Sequence, residues 1–318
     1  MRMKPCPVFD LLSGNAPVLM ADHNTLRTRE DRAIKAYMLT RTKRASGSAR
    51  SATHTGAVGD SKEVTLSWTT KSDAFTLSLK QFDKNMFGMA EALANGFQQA
   101  CMNILEDKES EAIAYLLAQK ATQGPTGLKV ASFNTTNDAY EVTAEDLEKK
   151  RVFSIIQSIM RQNYFSSNTD IIVDPRLAVE AEFLAAQGSG NATNWGYQFM
   201  NKNIVESVEL SDSNYVNGLA LAMPSGSVGA LNWIPRQNRE GYGDYNSYVG
   251  GFGVISFMGY QFAVHGYSNR ADRSSNNGSA QDVVMEFEVS LDTSFNKAPL
   301  EYTTDRTDSV IMQIGQLS

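Results

Sequence analysis

Histidine and cysteine are scarce here: three His and two Cys among 318 residues. His23, His54 and His265 are scattered, and His265 alone sits in a patterned, strand-like run. A Ser-His-Asp or Cys-His catalytic arrangement would therefore rest on one residue. No HExxH, GxxxxGKS/T or GxSxG motif occurs, so the zinc-protease, P-loop and nucleophile-elbow chemistries lack their signatures. Cys6 and Cys101 are far apart and no CxxC exists, so neither a zinc site nor a disulfide framework is indicated. Cys101 falls on an apolar helical stripe, where a thiol acts as a small hydrophobe. There is no run of 18 apolar residues, hence no expected membrane-spanning helix. The opening Met-Arg-Met-Lys has the charge of a secretory leader. Pro7, Asp10, Gly14 and Pro17 interrupt the stretch up to Leu19, so cleavage is not expected. The composition suits a reducing cytoplasm.

Other candidate sites read as structural. Gly250-Gly251-Phe252-Gly253 has no helix after it, so it is a bend or bulge rather than a phosphate cradle. Asp212 and the segment Asp272 to Asp282 lack EF-hand spacing and read as solvated loops. Tyr242, Tyr245, Tyr248 and Phe252 have no interleaved Lys or Arg, which favours packing or a subunit contact over base stacking.

Charge is distributed unevenly. Residues 1–50 hold ten Lys or Arg against four Asp or Glu, a net of +6; the whole chain is −6, so the rest carries −12. A basic arm on an acidic body suits either nucleic acid or the body of another copy.

Residues 1–44 read as a loose arm. Leu26, Ile34 and Leu39 are sparse apolar positions compatible with one helix over Arg27 to Arg44. Ala45 to Ser61 has mobile-loop composition. Two alternations come next. Val64, Leu66 and Trp68 share one face of the first; Phe75, Leu77 and Leu79 share one face of the second; Thr70 to Asp73 is the turn between. The pattern predicts a half-buried hairpin, which needs a partner surface. A helix then runs from about Asn85 to Lys120 on Met86, Met89, Leu93, Phe97, Cys101, Ile104 and Leu105. The polar cluster Glu106 to Glu111 is where it would bend or break.

Beyond Gly124-Pro125, Thr143 and Asp146 form a capping box for a second helix with Leu147, Ile155, Ile156, Ile159 and Met160 as its stripe. The strand Asp170 to Val173 runs into Asp174-Pro175, an N-cap and first-turn proline, and that third helix stops at Gly188. Strands are expected near 203–210, 217–223, 228–234, 252–258, 260–266 and 282–291. Gly188 to Trp195 and Ser268 to Gln281 read as long loops.

This order of arm, extended hairpin, long helix and mixed body resembles the tailed-bacteriophage major capsid proteins, the Hong Kong 97-type fold. The segment TDIIVDPRLAVEAEFLAAQGSG, Thr169 to Gly190, is similar to the strand–Pro–helix–loop unit of that family's axial domain. NIVESVEL and GLALAMPSGSVGAL are similar to the strands that come after it in the family. The resemblance covers most of the chain and is one of order and texture. It implies an α+β fold with residues 1–44 as N-terminal arm and 45–84 as the extended-loop hairpin. Residues 85–139 would be the peripheral domain with its spine helix, 140–267 the axial domain, and 268–318 strands returning to the peripheral domain. It also implies a structural subunit, not an enzyme, with no cofactor or metal. Copies would form hexamers and pentamers of an icosahedral head around double-stranded DNA, held without sequence specificity. Further partners would be a separate scaffolding protein, a portal and other head proteins, with no membrane. The place would be the virion, after assembly in the bacterial cytoplasm. No Lys–Asn pair for covalent cross-linking is matched.

The resemblance places the hairpin face, Val64, Leu66, Trp68, Phe75, Leu77 and Leu79, on a neighbouring copy, with Trp68 as anchor. The arm cations Arg27, Arg29, Arg32, Lys35, Arg41, Lys43 and Arg44 would meet acidic surfaces of adjacent copies. Three alternatives compete. An encapsulin-like compartment shell has the same fold and differs in cargo. A nucleic-acid-binding protein led by the basic arm is disfavoured by the −12 body. An enzyme with an unrecognised acidic site would need a deep pocket with converging carboxylates.

Overall fold

The polar cluster Glu106 to Glu111 does not interrupt the long helix. In the computed structural model, helix α3 runs unbroken over Met89–Ala118, 30 residues, or about 45 Å at 1.5 Å per residue. The structure describes residues 3–20, 22–39, 61–78, 88–125, 130–142, 151–165, 168–189, 202–245, 247, 249–268, 284–300 and 306–317. The cluster survives mid-helix because its charges have partners. Lys108 is buried, and its ammonium donates to Glu111 at 2.7 Å and to the Thr69 carbonyl and hydroxyl at 3.1 and 3.0 Å. Glu109 is also buried, and its carboxylate accepts the N–H groups of Val8 and Phe9 at 3.2 and 2.8 Å.

Those two amides open helix α1, Pro7–Leu19, which corrects the expectation of a loose arm. Val8, Phe9, Leu12 and Ala16 are fully buried, a helical stripe that Pro7 and Pro17 obscure in the sequence. Pro7 stands at the helix start, where its missing N–H costs nothing. Burial of each large side chain contributes about 1.5–3 kcal/mol. The chain then forms a short helix, α2 over His23–Thr28, and strand β1, Lys35–Leu39. The single helix expected over Arg27 to Arg44 is not formed.

The expected hairpin is corrected too. The strand β2, Ser61–Thr65, pairs antiparallel with β1, from Lys35↔Thr65 to Leu39↔Ser61. Strand β3, Thr69–Ser78, includes the supposed turn Thr70 to Asp73 and pairs over its whole length with β12, Val284–Lys297. A two-stranded ribbon is present, but its arms are 35–39 and 61–65.

Strand β3 lies along α3. Lys71 meets Asp107 and Glu111, Asp73 accepts from Asn103 at 2.8 Å, and the Phe75 ring meets Phe97 edge-on at 5.0 Å. Two strand residues advance about as far as four helix residues, so the contacts stay in step. The sheet order is β10 (Gly251–Phe257), β11 (Tyr260–Ser268), β12, β3, all antiparallel. Strand β9, Val228–Trp233, continues along the far half of β12.

The second sheet has the order β4 (Ser132–Asn134), β5 (Ala139–Val142), β13 (Met312–Gln316), β8 (Leu219–Pro224), β6 (Thr169–Val173), β7 (Lys202–Glu206). It is mixed: β5 with β13 and β6 with β7 are parallel. Both faces are buried. Ile171, Val173, Ala220, Ala222, Met312 and Ile314 face one core, shared with α4 (Val152–Gln162) and α5 (Pro175–Ser189). Ile172, Leu219, Leu221 and Met223 face the other core, shared with α1 and α3. As expected, Asp174 caps α5, accepting the Leu177 N–H at 2.9 Å. The capping box at Thr143 and most of the loops at 188–195 and 268–281 lie outside the described residues. Within 268–318, read as strands returning to the peripheral domain, β13 instead pairs with β5 and β8 of this second sheet; a short helix, α6 over Arg236–Glu240, was not expected.

Candidate self-assembly surfaces

The ribbon has two unlike faces. Ala36 and Met38 are buried and Val64 is half-buried, against a cluster formed by Met20, Leu26, Ala33, Leu66 and Leu231. The other face is open. Lys35 pairs with Glu63 at 2.6 Å, and the Tyr37 hydroxyl donates to Glu63 at 3.3 Å while the residue remains 64% exposed. Hydrogen bonding between Lys35 and Glu63 raises the lysine pKa and lowers that of the carboxyl. The pairing runs on past the strands, with Leu66 N–H donating to the Ile34 carbonyl at 2.9 Å.

Most of the apolar residues assigned to a neighbour are covered from within the chain. Leu66 and Leu77 are 5% and 9% exposed. Trp68 is partly buried on the ribbon cluster, and its indole N–H donates to the Ala33 carbonyl at 2.8 Å. Phe75 is half-buried between Phe97 and Phe287. Val64 is half-buried, and Leu79 lies outside the described residues. The physical reason is the pairing: β3 is a full member of the antiparallel sheet with β12, so its apolar face meets α3 of its own chain.

The arm cations divide likewise. Arg32 binds Asp292 at 3.1 Å, with its guanidinium 5.6 Å from the centre of the Trp233 ring, and Lys35 binds Glu63. These two are engaged within the chain, contrary to expectation. Arg29 is exposed and Arg27 half-buried beside His23, whose pKa is lowered by burial and by that guanidinium. Arg41, Lys43 and Arg44 lie outside the described residues.

The stretch joining α2 to the ribbon is tied down repeatedly. Arg239 donates to the Thr28 and Arg29 carbonyls at 2.9 and 2.7 Å, Trp233 donates to the Arg29 carbonyl at 3.1 Å, and Arg236 pairs with Glu30. At the ribbon's other root, Thr69 binds Lys108 and Glu111 of α3, and Thr70 binds Asp292. Sequence patterning alone did not single out Glu109, Lys108 or Arg239 as positioning residues. Charges at i and i+1 inside an apolar stripe were the available sign for the first two.

A second surface lies where α3 crosses β10. Ala90, Leu93, Ala94, Phe97, Ile255 and Phe257 line a groove of about 470 Å³. Cys101, at its base, is buried, which pushes the thiol up to about 12. His265, the one patterned histidine, stacks on Phe252 at 4.5 Å. Among the described residues, no group of three or more His, Cys, Asp or Glu is placed to hold a metal ion. No helix among them is long and apolar enough to cross a membrane.

No family model and no curated protein matches the chain. Solved structures do. A chain from Mycobacterium phage Che8 aligns over 99% of this chain and 93% of its own length, with a TM-score of 0.52 and 10% identity. A chain of the cyanophage Pam1 capsid asymmetric unit aligns over 99% and 94%, with a TM-score of 0.50 and 10% identity. The fold is that of phage capsid proteins.

Proposed function

We propose that this chain is the major capsid protein of a tailed bacteriophage. The observation that carries the proposal is agreement in fold over 99% of the chain with a chain of a phage capsid asymmetric unit. The open face of the ribbon supports it, since a two-stranded element with an exposed side is suited to contact another copy. On this reading copies assemble into hexamers and pentamers of an icosahedral head that encloses double-stranded DNA. Helix α3 takes the place of the spine helix, and the β1–β2 ribbon that of the extended loop. Helix α3 and the sheet of β3, β9, β10, β11 and β12 form the peripheral part; the second sheet with α4 and α5 forms the axial part. A separate scaffolding protein and a portal are the expected partners, and assembly takes place in the bacterial cytoplasm before the protein resides in the virion.

Electron microscopy of the concentrated protein, alone and co-expressed with the neighbouring structural genes, tests this. Rings, capsomers or closed shells are the expected outcome. A strictly monomeric protein under both conditions would end the proposal. Particles filled with an enzyme rather than DNA would move the chain to the compartment shells.

A further inference from the structure

The hairpin joining β10 to β11 turns on Met258 and Gly259, both with positive φ, +48° and +85°, between the paired residues Phe257 and Tyr260. Two-residue turns of this kind suit Asn-Gly, because Asn tolerates the left-handed region and a long side chain gains nothing there. Met258 is nevertheless 63% exposed at the tip. The turn does not call for methionine, and the subunit's own core does not use it. Outliers of this type collect where another molecule is engaged.

The surroundings of Met258 are unusual in charge. No Asp, Glu, Lys or Arg occurs in the 25 residues from Tyr245 to Asn269, nor in the 14 from Ala92 to Leu105, in a chain that is 20% charged. These two stretches meet at the apolar groove, where Ile255 and Phe257 face Leu93, Ala94 and Phe97. An exposed knob and an apolar hollow thus adjoin in one patch, and the charges that border the tip, Asp10 bonded to the Tyr260 hydroxyl at 2.5 Å and Arg27 beside Gly259, come from other elements.

We propose that this patch is a contact between two copies of the chain, with Met258 of each copy seated in the α3–β10 groove of the other. The occupant is a second copy because of charge. The chain is −6 overall and −12 outside its first 50 residues, so copies repel across most of their surfaces. They approach at least cost where charge is sparse, as along these two stretches, and where Asp10 of one copy can be offset by Arg27 nearby. A knob beside its own hollow is self-complementary under a two-fold axis, the arrangement of an isologous contact. Methionine's flexible thioether suits such a seat. The inference rests on the assembly proposed above and adds the surface and the residue.

The test compares the wild-type chain with Met258→Asn and Ala94→Arg. The first removes the knob and relaxes the turn; the second places a charge in the groove at an exposed position. Thermal melting of the unassembled subunit should be equal or higher for Met258→Asn. The threshold concentration for assembly should rise about tenfold or more for either variant, as for loss of an interface anchor. Ala90→Arg, one turn earlier and also exposed, replaces Ala94→Arg should that variant not fold. Assembly of a folded variant at the wild-type threshold overturns the contact, as does a lower melting temperature for Met258→Asn. Wild-type protein that never associates, alone or with its structural partners, defeats the capsid proposal instead.

Discussion

Gly96 stands inside a 30-residue helix, where alanine is ordinarily better by about 1 kcal/mol. Here a β-carbon would lie 2.5 Å from the Phe75 ring, which is held between Phe97 and Phe287 at 5.0 and 5.4 Å and cannot retreat. Gly96→Ala is therefore expected to lower subunit stability by about 1–3 kcal/mol, the cost of overpacking; denaturant unfolding measures it, and a gain would show that β3 shifts freely on α3. Trp68→Ala is expected to destabilise the unassembled subunit by about 2–4 kcal/mol, since packing on the ribbon cluster and the bond to Ala33 are both lost. That reverses the outcome expected of an anchor seated on a neighbour, and unchanged melting would restore it. Glu109 offers a pH test. Burial raises its pKa above 4.5, against the opposing pull of the Phe9 and Val8 amides. A raised carboxyl pKa gives stability that is full below 4.5 and lost as pH climbs through the folded value. Glu109→Gln cannot ionise, so its melting temperature should gain on the wild type as pH rises above 4.5. The opposite trend would mean that the α1 amides, not burial, set the charge of this group.

At the scale of elements, the N-terminal helix belongs to the body. Four fully buried side chains, the Glu109 cap and the Asn15 amide donating to Asp170 at 2.9 Å bind α1 to the rest. Gly229 lets α1 come so close that a β-carbon there would lie 2.8 Å from the Ala16 backbone. Removal of residues 1–20 is expected to leave a chain that is insoluble or no longer melts cooperatively; a soluble, cooperative product would return α1 to the status of an arm. Much of the element order was legible: the α3 stripe, the Asp174-Pro175 cap and most late strands rest on local periodicity and capping. What escaped was long-range pairing. Alternation in Val64 to Trp68 and Phe75 to Leu79 says that each segment is extended, not which strand each joins. The partners of β2 and β3 are β1, earlier in the chain, and β12, more than 200 residues later. Helix α1 escaped because two prolines and a glycine masked a stripe that only tertiary burial justifies. The candidate contact at Met258 was invisible because a positive φ is a property of coordinates.

At the scale of the molecule, salt distinguishes two ways in which copies could be held together. If the basic arm binds acidic bodies, salt weakens assembly. The structure reduces that possibility by engaging Arg32 with Asp292 and Lys35 with Glu63 inside one chain. Exposed pairs of this kind are worth only about 0–1 kcal/mol each. On the contact proposed at Met258, the net charge of −6 makes copies repel while the seat itself is apolar. Raising salt shortens the screening length from about 10 Å at 0.1 M to about 3 Å at 1 M, which weakens that repulsion and leaves apolar contacts intact. The threshold concentration for assembly, followed by light scattering, is therefore expected to fall as salt rises. A threshold that climbs with salt would instead place the binding energy in Arg27, Arg29, Arg41, Lys43 and Arg44 acting on a neighbour. Charge reversal at those five positions would then disrupt particles while leaving the subunit's melting temperature unchanged.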